Sequence, residues 1–166
     1  TRLIISAGVK PENLVVVDSK GILHKDRGDR ELLQTKYKEK WHLCLTTNAA
    51  GVKGDIPEAM RGADVLISAS KPGPGVIKKE WVASMAKNAI VFAEANPVPE
   101  IWPWEAKEAG ARVIATGRSD FPNQVNNSLG FPGIFRGTLD VRAETITDEM
   151  CIAAAYELAK TAEDQG

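Results

Sequence analysis

The side chains best suited to chemistry follow short apolar runs, where strands of a parallel sheet would end. Asp18 ends one such run of β-branched residues. A carboxylate there can accept hydrogen bonds from both hydroxyls of an adenosine ribose, and it repels a 2′-phosphate. Asp18 and its neighbour Ser19 are therefore candidates for binding NAD in preference to NADP, although Lys20 is close enough to soften that preference. The alternative is that Asp18 only ends the strand in a turn.

A loop of small residues follows a second apolar run. It begins Ser68, Ala69, Ser70, Lys71 and continues through residues 72–75, which alternate Pro and Gly. Small side chains let a cofactor approach the backbone, while Pro and Gly restrict the shape of the loop. Because the sequence has no Gly-Lys-Ser/Thr, this is not a Walker-type phosphate loop. A cofactor loop and an ordinary strand-to-helix loop both remain open.

Amide side chains follow two further apolar runs. Asn96 precedes Pro97, and residues 123–127 carry four amides, the last two being Asn126 and Asn127. An amide offers an acceptor and two donors in one plane, which suits a carboxamide or a carboxylate ligand. The alternatives are a turn-forming Asn before Pro, and an exposed polar loop.

The chain shows no catalytic set of its own. We find no Ser-His or Cys-His arrangement and no carboxylate pair with acid/base spacing. The two cysteines, Cys44 and Cys151, and the two histidines, His24 and His42, lack metal-ligand or redox spacing. We therefore assign no catalytic residue and no metal ligand within the chain.

The elements that position these groups alternate between strands and helices. Continuous apolar runs predict strands buried on both faces, at residues 14–17, 65–67, 89–93 and 112–115, with 42–45 a weaker fifth. Helical patterns cover residues 1–7, 30–40, 56–61 (capped by Asp55), 78–87, 99–109 and 147–162. This alternation predicts an α/β fold, Rossmann-like and doubly wound, whose mostly parallel sheet has helices on both faces. In such sheets ligands bind beyond the carboxyl ends of the strands.

The first residues resemble the second half of a dinucleotide-binding βαβ unit. Residues 1–7 read as the end of a helix closed by Gly8, and the next strand ends at Asp18. The first strand and the G-x-G-x-x-G turn would then precede Thr1. We expect residues 1–166 to be a partial NAD(P)-binding domain, and the missing N-terminal part of the same protein to be its partner.

Composition narrows the class of protein. The chain has 166 residues, 43% of them hydrophobic, and a formal net charge of −1, as in an ordinary globular domain. No basic stripe indicates nucleic-acid binding, and no apolar run reaches the roughly 18–20 residues that span a bilayer. Since no signal peptide is evident either, we expect a cytoplasmic protein.

Several motifs together resemble one family. ATGRSDFPNQVNN at residues 115–127, FPGIFRG at 131–137, ANPVPEI at 95–101 and VDSKG at 17–21 are similar to segments of bacterial and archaeal malic enzymes. The first of these is highly specific, whereas the Asp18 motif is common to many dehydrogenases. The resemblance extends over nearly the whole chain.

The resemblance implies a function. Malic enzymes oxidatively decarboxylate L-malate to pyruvate and CO₂ and reduce NAD, with NADP as a possible cofactor. They use Mg²⁺ or Mn²⁺ as a Lewis acid and a Lys and a Tyr as proton carriers. By this resemblance Asn96 and Asn127 orient malate and the nicotinamide end, and residues 68–71 hold the cofactor. Asn126 is the next candidate at the substrate, supporting either Asn127 or the loop.

The same resemblance implies what this chain does not contain. The family's metal ligands, proton carriers and glycine loop all belong to segments before Thr1, so we expect the isolated chain to be inactive. We also expect a homo-oligomer, a dimer or larger. The alternative function is a non-catalytic NAD-binding or subunit-association module.

Overall fold

The computed structural model describes residues 1–165 and contains eight α-helices and five strands within them. In chain order these are α1 (Arg2–Ser6), β1 (Val17–Asp18), β2 (Gly21–Ile22), α2 (Arg30–Lys36), α3 (Lys38–Thr46), α4 (Ile56–Met60), β3 (Val65–Ser68), α5 (Lys79–Ala83), β4 (Ile90–Ala93), α6 (Pro103–Glu108), β5 (Val113–Thr116), α7 (Phe131–Asp140) and α8 (Asp148–Gln165). Two 3₁₀ turns, Pro11–Asn13 and Asn127–Leu129, precede β1 and α7 respectively. None of the helices within residues 1–165 has both the length and the apolar character needed to cross a bilayer.

The central sheet has three parallel strands in the order β3-β4-β5. All three come from continuous apolar runs, as expected for strands whose neighbours are joined through helices. Helices α5 and α6 provide the two crossovers. The α/β class with a parallel sheet flanked by helices is therefore confirmed.

One face of this sheet is covered by helices. Val91 and Ala93 of β4 are completely buried there, against Met60 of α4, Val82 of α5 and Ala106 of α6. Asp55 caps α4 as expected, because its carboxyl group accepts the N–H of Ile56 at 2.8 Å. This packed layer fixes where the strands end.

The opposite face carries apolar side chains that are open to solvent. Successive strand residues point to opposite faces, so Val65 and Ile67 of β3 share this side with Val113 of β5. Their exposed fractions are 46%, 55% and 38%. Within residues 1–165 the sheet is thus packed mainly on one side.

The segment before Asp18 corrects the sequence prediction. Of residues 14–17 only Val17 lies in a strand, and β1 pairs antiparallel with β2 rather than joining the parallel sheet. The carbonyl of Leu14 instead accepts the N–H of Asn48, and the carbonyl of Val16 accepts the N–H of Leu23. These loop contacts satisfy backbone groups that a parallel neighbour would otherwise pair.

The predicted fifth strand at residues 42–45 is wrong. These residues belong to α3, where the Thr46 hydroxyl donates to the His42 carbonyl in the preceding turn. Cys44 packs with Leu33 of α2 and with Leu23, which gives the run an apolar partner at helical spacing.

The single helix predicted at 30–40 is divided at Tyr37 into α2 and α3. Helix α7 was not predicted.

Candidate functional site

The three parallel strands end at the same level. Their final residues, Ser68, Ala93 and Thr116, are register partners across the sheet. The loops after β3, β4 and β5 therefore meet at one edge, the place where open α/β sheets bind ligands. This carboxyl edge brings together the predicted residues Ser68, Ala69, Ser70, Lys71, Asn96, Asn126 and Asn127.

Glu100 joins two of these loops from inside the protein. Its side chain is fully buried. Oε1 accepts the Ser68 hydroxyl at 2.6 Å, the Ser70 N–H at 2.7 Å and the Ser70 hydroxyl at 3.0 Å. Oε2 accepts the N–H of Ala95 at 3.1 Å. One carboxyl group thus fixes the loop after β3 against the loop after β4.

Arg118 joins the loop after β5 to the loop after β4. Its guanidinium donates two hydrogen bonds to Asp120, at 2.8 and 2.6 Å, and a third to the carbonyl of Pro97 at 3.1 Å. The Arg118 hydrogen bonds hold the pKa of the Asp120 carboxyl below its ordinary value. The paired hydrogen bonds between Arg118 and Asp120 therefore stay formed at neutral pH, and the third hydrogen bond holds the backbone beside Asn96 in place.

In the loop after β5, some amide side chains form hydrogen bonds with the part of the chain that the structure describes and others do not. The Asn126 amide donates to the Gly117 carbonyl at 2.8 Å and accepts the Ser128 N–H at 2.9 Å, while Asn123 donates to the Ile114 carbonyl at 3.1 Å. These two side chains shape the loop itself. Asn127, like Asn96 in the neighbouring loop, is exposed and makes no side-chain hydrogen bond within residues 1–165.

Asn96 and Asn127 are therefore exposed amides of this edge that can turn to a ligand without breaking the loops that carry them. Lys71 and Ala69 are also exposed at this edge. Together with the Ser70 backbone they form a rim beside the two amides.

Asp18 lies in the separate β1–β2 hairpin and is held by cations. Oδ1 accepts the Lys20 N–H and Arg27 Nη1, each at 3.0 Å, and Oδ2 contacts Lys40 Nζ at 2.7 Å. Burial by itself raises the pKa of Asp18, but the hydrogen bonds from Lys40, the Lys20 backbone and Arg27 outweigh it and hold the pKa below the ordinary value. Ser19, the next residue, is exposed. The carboxylate is thus ionised and oriented, with the partly exposed Lys40 as one of its partners.

No metal centre is formed by the residues that the structure describes. Among residues 1–165, no three His, Cys, Asp or Glu side chains lie close enough to hold an ion.

Sequence reasoning missed Glu94, Glu100 and Arg27. Glu100 acts on residues distant along the chain, since it reaches Ser68 across 32 positions. Arg27 acts nearer along the chain, since it pairs with Asp18 nine positions before it. The sequence did contain a signal for the two glutamates, because each lies close to a strongly apolar run. A Glu that is buried beside such a strand needs hydrogen-bond partners.

These features define a class of protein. The parallel sheet with crossover helices is typical of a nucleotide-binding domain of an oxidoreductase. So are the loops of small and amide residues at its carboxyl edge, and the oriented carboxylate in a neighbouring turn.

Comparison with known proteins gives the family. Residues 5–166 match the model of the family described as malic enzyme, NAD binding domain. The NAD-dependent malic enzyme of Geobacillus stearothermophilus is 46% identical over 96% of this chain and 31% of its own length. The NADP-dependent malic enzyme of Halomonas elongata is 46% identical over 95% of this chain and 35% of its own. The crystal structure of Entamoeba histolytica malic enzyme superposes with a TM-score of 0.93, at 58% identity, over 99% of this chain and 34% of that one.

The chain belongs to the malic enzyme NAD-binding domain family. It spans about a third of the length of these relatives.

Proposed function

We propose that this domain serves a protein that oxidatively decarboxylates L-malate to pyruvate and CO₂ while reducing NAD or NADP. The observation that carries the proposal is the carboxyl edge, where Asn96 and Asn127 remain exposed on loops that are otherwise fixed by internal hydrogen bonds. The family membership and the names of the relatives support it.

The residues of this chain bind and orient. The backbone of residues 68–71, fixed by Glu100, provides a surface for the dinucleotide, and Asp18 receives the adenosine ribose. Asn96 and Asn127 direct their amides to the nicotinamide end and to the substrate carboxylate. Bound NAD supplies the acceptor for the hydride that leaves C2 of malate.

The residues of this chain do not fit the divalent metal ion that the resemblance to malic enzymes implies. Since residues 1–165 form no ligand set, Mg²⁺ or Mn²⁺ would be held by other parts of the protein, and we derive no step through it. We propose that the proton carriers also lie outside this chain, in the N-terminal part that acts as its partner.

Two further proposals concern the protein as a whole. We propose a cytoplasmic location and a homo-oligomer, a dimer or larger. Exposed apolar side chains on α7 and α8, including Leu139 and Tyr156, support the second, which light scattering on the purified protein can test.

The activity test uses the full-length protein. We expect malate-dependent formation of NADH or NADPH, with pyruvate and CO₂ in equal amounts, and no turnover of lactate or of other hydroxy acids that lack the second carboxylate. NAD binding without any turnover across a panel of hydroxy acids would instead favour a non-catalytic binding module.

Asn127→Ala tests the substrate-orienting role. A bound carboxylate would lose a hydrogen-bond donor, which costs about 1–3 kcal/mol, so kcat/KM for malate should fall roughly 5- to 150-fold. Asn13→Ala, at an exposed asparagine in the turn before β1, is the control and should leave kcat/KM unchanged. Equal kcat/KM in the two variants would remove Asn127 from the site.

A further inference from the structure

Glu94 lies between the two loops that carry the exposed amides. It follows β4 directly, and its backbone N–H donates to the carbonyl of Ser68 at 2.8 Å. A Cβ added to Gly117 would stand 3.9 Å from Glu94 Oε2 and 3.8 Å from Asn126 Nδ2. The carboxyl group of Glu94 is therefore held against the turn that leads to Asn127, and Asn96 is only two residues away along the chain.

One oxygen of this carboxyl group lacks a partner. Oε1 is buried from solvent and makes no hydrogen bond within the described part of the chain. A buried polar atom without a partner is unfavourable and is uncommon in folded proteins. Rotation about the last bond of the Glu94 side chain, a torsion with broad freedom, can turn this oxygen to the carboxyl edge, where a ligand can satisfy it.

We propose that Glu94 is a ligand-facing specificity residue, whose carboxyl group donates a hydrogen bond to a carboxylate oxygen of the bound hydroxy acid. This inference rests on the proposed function, because it takes the substrate to be an anion held beside Asn96 and Asn127. It adds an acidic side chain beside the two exposed amides.

The surroundings favour the protonated form that such a donor requires. Burial raises the pKa of Glu94, and the nearby charge of Glu100 raises it further. The other charged residues on the loops around it are Lys71, and Arg118 paired with Asp120. Within residues 1–165 none of these makes an ion pair or hydrogen bond with Glu94 that would stabilise its ionised form.

The two protonation states act on the substrate in opposite ways. A neutral carboxylic acid has one O–H donor, whereas an ionised one is an acceptor only. Ionised Glu94 would both lose the hydrogen bond and repel the anionic substrate. Affinity for the hydroxy acid should therefore be high below the pKa of Glu94 and should fall as the pH rises through it.

The test compares KM for malate in the full-length protein and three variants, from about pH 5 to about pH 9. For the unmodified protein we expect KM to rise about tenfold or more across the ionisation of Glu94, because a hydrogen bond to a charged group is lost. Glu94→Gln keeps a donor of the same shape and cannot ionise, so its KM should lack this rise. Glu94→Leu has no donor, and its KM should be raised about tenfold at every pH. The control Glu80→Gln, at an exposed carboxylate of α5, should follow the unmodified protein.

The outcomes separate this inference from the proposed function. If the unmodified protein does not oxidise malate, the proposed function fails. If it does, but Glu94→Gln shows the same pH profile of KM as the unmodified protein, the role of Glu94 is wrong. A pH-dependent difference in KM for NAD, with none for malate, would also overturn the assignment to the substrate.

Discussion

At the scale of single residues, buried acidic side chains organise the site more than the exposed ones do. Glu100 forms no ion pair within residues 1–165, yet its carboxyl group accepts four hydrogen bonds from three residues. Hydrogen bonds from backbone N–H and hydroxyl groups replace the water that burial removes. The loops after β3 and β4 are therefore held in one arrangement before any ligand binds.

Replacing Glu100 should cost much of the stability of the domain. Glu100→Ala leaves the Ser68 hydroxyl and the N–H groups of Ser70 and Ala95 without their acceptor, and we expect a loss of about 3–5 kcal/mol. Urea denaturation measures this, with the exposed Glu80→Ala expected to change stability by about 0.5 kcal/mol or less. A loss for Glu100→Ala as small as that of the control would show that the four hydrogen bonds add little.

Asp18 should make stability sensitive to acid. Its folded-state pKa lies below the ordinary value of 3.8, so its stabilising contribution is present above that value and is lost as the pH falls through the folded-state pKa. Asp18→Asn cannot ionise, so the variant should be less stable than the unmodified protein at neutral pH, and the difference should shrink below about pH 4. Unfolding free energies measured across this range, with Asp64→Asn as an exposed control, should show it; a pH-independent difference would contradict the ion-pair account.

At the scale of elements, the two faces of the parallel sheet have different roles. Helices α4, α5 and α6 cover one face, where Val91 and Ala93 of the central strand are fully buried, and the three strands end at the same level. The other face exposes Val65 and Ile67 along β3. The position of the site thus depends on the covered face, while the open face contributes little to holding the described chain together.

Two isoleucines of the same size test this difference. Ile77 is 2% exposed within the covered core, and Ile67 is 55% exposed on the open face. In the isolated chain, Ile77→Ala should cost about 2–5 kcal/mol through lost burial and the cavity it leaves, whereas Ile67→Ala should cost less than about 1 kcal/mol. Chemical denaturation of both variants measures the costs, and equal values would show that the open face is packed in solution.

At the scale of the whole molecule, helix α7 carries a line of exposed apolar side chains. Phe131 and Phe135 of α7 stack with their ring centroids 5.4 Å apart, and Leu139 continues the same line one turn further on. Leu139 is 74% exposed. Contiguous exposed apolar side chains of this kind mark surfaces that bind other proteins or other parts of the same protein.

Replacing the exposed apolar side chains of α7 should change dye binding and self-association more than it changes the free energy of unfolding. For the isolated 166-residue chain, Phe135→Ser combined with Leu139→Ser should lower the binding of an apolar dye and reduce self-association, because both side chains are exposed. The unfolding free energy should change by about 1 kcal/mol or less. Dye fluorescence, light scattering and denaturation measure the three effects, and unchanged dye binding would mean that α7 is covered in solution.

The sequence predicted the parallel strands and most helices because their signals are local. Residues 65–67, 89–93 and 112–115 are continuous apolar runs, and each became a strand within one or two residues of its predicted bounds. The residues beyond these strands were identified as site candidates by the general rule for parallel sheets, and the structure places them at one edge. Their individual ligand roles stay predictions.

The failures occurred where distant contacts decide the conformation. Residues 42–45 are apolar enough for a strand, but packing of Cys44 on Leu33 and Leu23 makes them helical. Residues 14–16 are bonded to loops instead of to the parallel sheet. A pattern of a few apolar residues cannot distinguish a buried strand from a buried helix segment, because both bury similar side chains.

The sequence alone thus determined the fold class, the family resemblance and the loops that form the site, since these depend on periodicity and on motifs continuous in the chain. Only the tertiary structure decided which polar groups remain available to a ligand. Asn126 and Asn127 are adjacent and chemically identical, yet one is occupied by the Gly117 carbonyl and the other is exposed. The folded loop makes that choice for Asn126, which bonds Gly117 nine positions away. For Glu100 the choice is made across 32 positions, where its carboxyl group accepts the Ser68 hydroxyl, and no local sequence pattern indicates either contact.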